Sequence, residues 1–225
     1  MTRGRLRLLA AALSSTVLAA CATPRPARRF VPATDVEARE AIAAWQASLE
    51  RAASLPASRL LYDARLSKGG APPVPGTLAV TYDGRAVVTA SLTGPFGSRI
   101  AEYRDGRVSG EDRAALLIQP EAMRAVLAGG AWSGVAPAIE GVDAGQARLA
   151  FDVEGARVRV VLDLATRNPV SLEIAGPDGR LLVDYAGAAD PWPPRVDAQE
   201  EKTHRRVALK LLAVEKAGNA GEASP

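Results

Sequence analysis

From Leu60 onward the chain is governed by a period of two. Leu60-Tyr62-Ala64-Leu66, Leu78-Val80-Tyr82 and Ala86-Val88-Ala90-Leu92 each set an apolar residue at every second position, as a strand with one buried face requires. Asp83-Gly84 parts the last two as a hairpin turn. Ile100 to Tyr103 and Arg107 to Ser109, joined at Asp105-Gly106, continue the meander. Arg148 to Val153, Arg157 to Leu164, Val170 to Ala175 and Arg180 to Tyr185 read as strands, separated by Glu154-Gly155, Arg167-Asn168-Pro169 and Pro177-Asp178-Gly179. Arg195 to Gln199 and Arg206 to Val214 make a final pair around a charged turn, and Gly134 to Gly145 reads as an irregular connection. No internal repeat stands out. The pattern predicts one α+β domain, mainly β, built on a single antiparallel sheet of about ten to eleven strands.

Two helices are available to cover one face of that sheet. Thr34-Asp35-Val36-Glu37 has the spacing of a capping box, and the helix it opens runs to about Ala53. Ile42, Trp45 and Leu49 share one side of it. Gln119-Pro120-Glu121 opens a shorter helix to Ala128, with Met123, Val126 and Leu127 as its apolar side and Gly129-Gly130 as its stop.

The N-terminus is organised differently. Arg3, Arg5 and Arg7 precede an apolar run from Leu8 to Val17, and Leu18-Ala19-Ala20 leads into Cys21, the one cysteine of the chain. This order of charge, apolar run and small residues is that of a secretory signal, too short to span a bilayer. Leu-Ala-Ala-Cys resembles the lipobox of bacterial envelope lipoproteins. That resemblance implies a signal peptide over residues 1–20, cleavage before Cys21, and acylation of Cys21. Ala22, where inner-membrane lipoproteins often carry aspartate, points by the same analogy to the periplasmic face of the outer membrane. Pro24, Pro26 and Pro32 make residues 21–33 an extended tether, about 30 to 40 Å long. The domain is expected over residues 34–216, followed by a disordered polar tail over 217–225.

Cleavage alters the charge balance. The full chain has 28 Lys and Arg against 25 Asp and Glu; losing the three signal arginines leaves 25 of each, so no net positive charge invites nucleic acid. Enzymatic chemistry has little to work with. His204 is the sole histidine and falls in a charged turn, Cys21 is consumed by acylation, and no His or Cys cluster has metal spacing. Asp83, Asp105 and Asp178 fall in turns and Glu37 in a cap, where structure accounts for them. The residues call for no cofactor, no metal and no catalytic group.

Three segments carry a family resemblance. Ala90-Ser91-Leu92-Thr93-Gly94-Pro95-Phe96-Gly97 is a strand running into a Gly-Pro turn; Ile118 to Ala128 is a helix after the next hairpin; and Leu182-Val183-Asp184-Tyr185, Trp192-Pro193-Pro194-Arg195-Val196 and Leu209-Lys210-Leu211 close the sheet. In this order they resemble the LolA/LolB lipoprotein carriers, LolB-type outer-membrane lipoproteins most closely. Arg157 to Ala175 departs from the LolB pattern by adding a strand pair. The resemblance implies a curved, incomplete barrel plugged by helices around an apolar cavity for acyl chains. It further implies a monomer anchored to the membrane that accepts acylated lipoproteins from a soluble periplasmic carrier and inserts them in the outer membrane, without covalent chemistry. A lipid-anchored scaffold of an envelope assembly, with the same fold and a closed interior, is the alternative.

The resemblance also assigns residues. Gly94, Pro95, Phe96 and Gly97 would form the loop that delivers cargo to the membrane, with Phe96 either exposed at its tip or folded back over the barrel end. Candidates for the cavity wall are Trp45, Val80, Tyr82, Val88, Leu92, Met123, Leu127, Phe151, Val160 and Leu172, and alternation adds Val158, Leu162, Ile174 and Leu182. Each fits plain core equally well, since a sequence does not show unfilled volume. An aromatic share of 4% leaves few bulky residues to fill the interior.

Overall fold

A computed structural model describes residues 29–112, 115–116, 120–128, 132, 134–177, 179–187 and 191–216. The signal, Cys21, most of the tether, Asp178, Gly129-Gly130 and the tail after Lys216 lie outside the described residues. Helix α1 (Asp35–Ala53) comes first, followed by strands β1 (Ser58–Lys68), β2 (Val74–Tyr82), β3 (Val87–Thr93), β4 (Arg99–Arg104) and β5 (Arg107–Ser109). After helix α2 (Pro120–Leu127) come β6 (Ala138–Asp143), β7 (Gln146–Val153), β8 (Ala156–Asp163), β9 (Pro169–Gly176), β10 (Gly179–Ala186), β11 (Arg195–Glu200) and β12 (Arg205–Lys216). The capping box at α1 is formed: the Thr34 N–H donates to Glu37 Oε2 at 2.8 Å and the Glu37 N–H to Thr34 Oγ1 at 3.4 Å.

All strands join one antiparallel sheet in the order β5-β4-β3-β2-β1-β12-β11-β10-β9-β8-β7-β6. Ten of its eleven neighbour pairs are consecutive in sequence; the exception, β1 with β12, brings the two ends of the domain together along eleven paired residues. The sheet does not close, because β5 and β6 stay at opposite edges. It is nevertheless strongly curled. Five neighbour steps separate β3 from β10, about 24 Å in a flat sheet. Yet α2 meets both: Met123 shares a cavity with Leu92 of β3, and the Val126 carbonyl accepts from the Tyr185 hydroxyl of β10 at 2.8 Å. The structure is thus the incomplete barrel with two covering helices that the sequence led us to expect.

The strand missing from the sequence reading is β6, inside the stretch read as irregular. Its hairpin to β7 turns on Ala144 (φ 46°) and Gly145 (φ 76°), a turn with two left-handed residues, but alanine gives no turn signal. Gly141 then interrupts the alternation where the β6–β7 register shifts. A Cβ there would lie 2.6 Å from the Val31 carbonyl oxygen. The reason is that Val31 pairs with Val142, with N···O distances of 3.0 and 2.9 Å, and so covers the open edge of β6.

Two candidate wall residues prove to face outward. Register shifts at the β2–β3 turn, so that Tyr82 pairs with Val87 and Thr81 with Thr89; Val88 is the extra residue of this bulge and is 41% exposed, while Val87 is buried. Leu182 belongs to an unbroken apolar run whose phase alternation cannot set. Pairing with Leu172 and Ala198 turns Val183 inward instead.

Charged side chains lace the outer face of β6 to β10. Glu140 lies 2.9 to 3.2 Å from Arg148, Arg157 and Arg159, and Glu173 2.9 to 3.0 Å from Arg159 and Arg180. Burial works to raise both carboxyls, but hydrogen bonds from Arg157 and Arg159, and from Arg180 and Arg159, outweigh it and hold them below the ordinary value of 4.5. A carboxylate whose folded pKa is depressed adds stability above its unfolded pKa, and that stability is lost as pH falls through the folded value. The double variant Glu140→Gln/Glu173→Gln is therefore expected to lose about 1 to 2 kcal/mol at pH 7 and to show a flatter fall of Tm below pH 4.5. Thermal melts by circular dichroism across that range check this; an unchanged slope would show that the ladder contributes nothing.

Candidate functional site

At one end of the curled sheet β1 and β3 finish while β2, β4 and β12 begin. There a cleft of about 240 Å³ opens between Leu66, Pro72, Val74, Ile100 and Val207, with Lys68, Arg205 and Arg206 on its lip. Beneath it a cavity of about 20 Å³ is lined entirely by apolar residues, among them Leu78, Leu92, Met123, Ala198 and Leu209. Ala115 and Val207 belong to both walls, so among the described residues these two side chains form a partition between the mouth and the interior. The cavity's described lining offers nothing polar to hold a water.

The partition is strapped in place. Arg205 Nη1 donates to Asp112 Oδ1 at 2.8 Å, with Arg205 only 13% exposed. The Asp112 N–H donates to the Ile100 carbonyl at 3.0 Å, and its own carbonyl accepts from the Ala115 N–H at 2.9 Å. One ion pair thereby ties the residues over the cavity to the first residue of β12.

The Gly-Pro turn stands at the same end, since Thr93 at its base pairs with Thr77 near the start of β2. Residues Pro95–Gly97 form a 3-10 turn closed by Gly94 N–H to the Ser98 carbonyl at 2.8 Å. A Cβ on Gly94 would meet Ser98 Oγ at 2.9 Å and Ile100 Cδ1 at 3.1 Å, so both side chains would have to shift. Phe96 adopts φ 61°, ψ 20° and is 108% exposed. For a bulky side chain this left-handed conformation costs about 1 to 2 kcal/mol. The Phe96 ring stands clear of the barrel end.

The remaining candidates divide by position. Leu92 and Met123 line the small cavity. Trp45 of α1 packs on Phe151 of β7 at 5.2 Å between ring centroids, and Trp132 lies 5.6 Å from the same ring, so aromatics fill the space under α1. Tyr82 meets Trp192 edge-on at 5.3 Å. Val80, Leu127, Val160 and Leu172 are fully buried in the same apolar cluster. Alternation found the concave face but missed the mouth, whose walls include loop residues Ala71 and Pro72 and the ion pair Arg205–Asp112; none of these has a periodic signature.

Chemically the interior cavity offers apolar burial. Tyr62 and Tyr185 are buried, which pushes their hydroxyls above the ordinary tyrosine value and keeps them neutral. His204 is exposed in the β11–β12 turn. Among the described residues no group of His, Cys, Asp and Glu could hold a metal, and no helix is long and apolar enough to cross a membrane.

No family model and no curated protein matches the chain. Among solved structures it is similar to a LolA superfamily protein from Nitrosomonas europaea, at 14% identity over 77% of this chain and 93% of that one, TM-score 0.49. An outer membrane lipoprotein-sorting protein domain from Vibrio parahaemolyticus follows at 15% identity, covering 82% and 95%, TM-score 0.47. A DUF1329 family protein from Desulfovibrio piger is similar at 9% identity, covering 82% and 96%, TM-score 0.47.

Proposed function

We propose that this protein binds acyl chains of lipoproteins in the concavity of its sheet. The chain enters through the cleft between β1, β4 and β12 and extends under α2 as Ala115 and Met123 give way. The observation that carries the reading is an apolar interior cavity that shares Ala115 and Val207 with the wall of the open cleft. Each methylene that moves from water into such a cavity gains about 0.8 kcal/mol. Transfer between two proteins with comparable interiors is then nearly balanced, and the bilayer draws the last step. With Cys21 acylated, the protein acts as a membrane-anchored acceptor at the periplasmic face of the outer membrane, taking cargo from a soluble periplasmic carrier, and Phe96 reaches the bilayer during release.

One observation favours a second reading. An interior void of about 20 Å³ holds no acyl chain as it stands, which suits an envelope scaffold whose core is permanently filled. Displacement of a fluorescent fatty-acid probe by an acylated peptide distinguishes the two. We expect saturable binding by the parent protein and a loss of at least about tenfold in Ala115→Phe, which plugs the partition with a ring worth more than 1.4 kcal/mol of lost contact. Absence of probe binding by the folded parent protein would leave the scaffold.

A further inference from the structure

A cleft of about 360 Å³ lies on the opposite face of the sheet, across β1, β12, β11 and β10. Strand register decides its charge. Lys210 of β12 pairs directly with Arg195 of β11, which sets two cations side by side about 4.8 Å apart at the backbone. Like charges in that position oppose folding; Asp63 of β1 flanks Lys210 on its other side, but its carboxylate lies 3.9 Å from Arg65, which also lines the cleft. The next row along the same strands is the mirror case: Asp197 of β11 pairs directly with Asp184 of β10. Asp197 is held by Arg206 on both oxygens, Nε donating to Oδ1 at 2.7 Å and Nη2 to Oδ2, which leaves its remaining lone pairs to a ligand. The two rows lie about 7 Å apart along the strands. Ala186 beside Arg195 and Ala208 beside Asp197 are too short to fill the space between these long side chains, and they leave the floor of the cleft.

A cation pair beside a carboxylate pair is a template for a small zwitterion. We propose that this cleft binds a phosphoethanolamine group, its phosphate on Arg195 and Lys210 and its ammonium at Asp184 and Asp197. The guanidinium fork and the ammonium supply charge-assisted hydrogen bonds to phosphate oxygens. A bare anion meets the neighbouring carboxylates and a bare cation meets Arg195 and Lys210, so each half of the site disfavours ligands with one sign of charge. The same chemistry is presented by free phosphoethanolamine and by a phosphatidylethanolamine headgroup. The site faces away from the concavity, so it stands or falls independently of the acyl-chain reading.

Calorimetric titration of the purified full chain with phosphoethanolamine, inorganic phosphate and ethanolamine tests this. Phosphoethanolamine is expected to bind at least about tenfold more tightly than either half. Arg195→Gln should weaken it about tenfold while keeping or raising Tm, because a like-charge contact is relieved. Asp184→Asn should abolish the preference over inorganic phosphate. Flotation with vesicles containing phosphatidylethanolamine or phosphatidylglycerol identifies the source. A preference for the former that Arg195→Gln removes assigns the lipid headgroup; binding of the free compound alone assigns a soluble ligand. Equal affinity for phosphate and phosphoethanolamine, no binding of either, or indifference to Arg195→Gln overturns the proposal.

Discussion

Phe96→Glu is expected to leave the fold and probe binding intact while cutting release of acylated cargo to liposomes by tenfold or more. The side chain touches nothing it could destabilise by leaving, being 108% exposed. Burying a phenyl ring in an apolar environment is worth about 1.5 to 3 kcal/mol, and a glutamate at the same place opposes insertion. A difference of 1.4 kcal/mol is a factor of ten in the equilibrium that drives release. Phe96→Gly makes the counter-test. It relieves the left-handed strain at φ 61°, so it should stabilise the protein by about 1 kcal/mol, yet it removes the same apolar tip. Strain retained at an exposed residue at the expense of stability suits a functional role. A more stable Phe96→Gly protein with normal release would end that assignment, whereas a less stable one would place Phe96 in the packing.

What the sequence discloses depends on whether a feature is periodic. Leu60, Tyr62 and Ala64, or Val158, Val160 and Leu162, alternate cleanly and are all buried; Thr34 and Glu37 announce the start of α1 and form the cap. Asp105-Gly106 and Glu154-Gly155 occupy paired left-handed positions, as hairpin turns of that composition should. Failures occur where a local irregularity breaks the count. The bulge at Val88 reverses which of two adjacent valines is buried, Ala144-Gly145 hides a hairpin, and the run around Leu182 has no phase of its own. On α1 the buried stripe is Ala41, Ala44, Trp45, Ser48 and Ala52. Ile42 and Leu49 are only half-buried, because small residues let the helix lie close to the sheet while Trp45 reaches Phe151. Volume is the least legible quantity. Of ten residues taken as cavity wall, Leu92 and Met123 line the small interior cavity, and the others differ from them in nothing the sequence displays.

Met123→Ala uses that volume to decide between a carrier and a scaffold. Met123 is 2% exposed and forms part of the cavity wall. Truncating a buried methionine to alanine costs about 2 to 5 kcal/mol, from lost burial and from the space left behind, so Tm must fall. A thioether chain with three rotatable bonds is also the side chain best able to withdraw when a ligand arrives. If acyl chains do enter here, the parent protein spends part of its binding free energy moving Met123 aside, and the alanine variant does not. The less stable protein should therefore bind a fatty-acid probe more tightly, and saturating ligand should restore more Tm to it than to the parent, by the usual linkage of binding to the folded state. Loss of stability with no gain in affinity would mean that the new space is not continuous with any path a ligand takes, and the interior would then be core in the ordinary sense. Only a site that a ligand uses makes the two effects move in opposite directions.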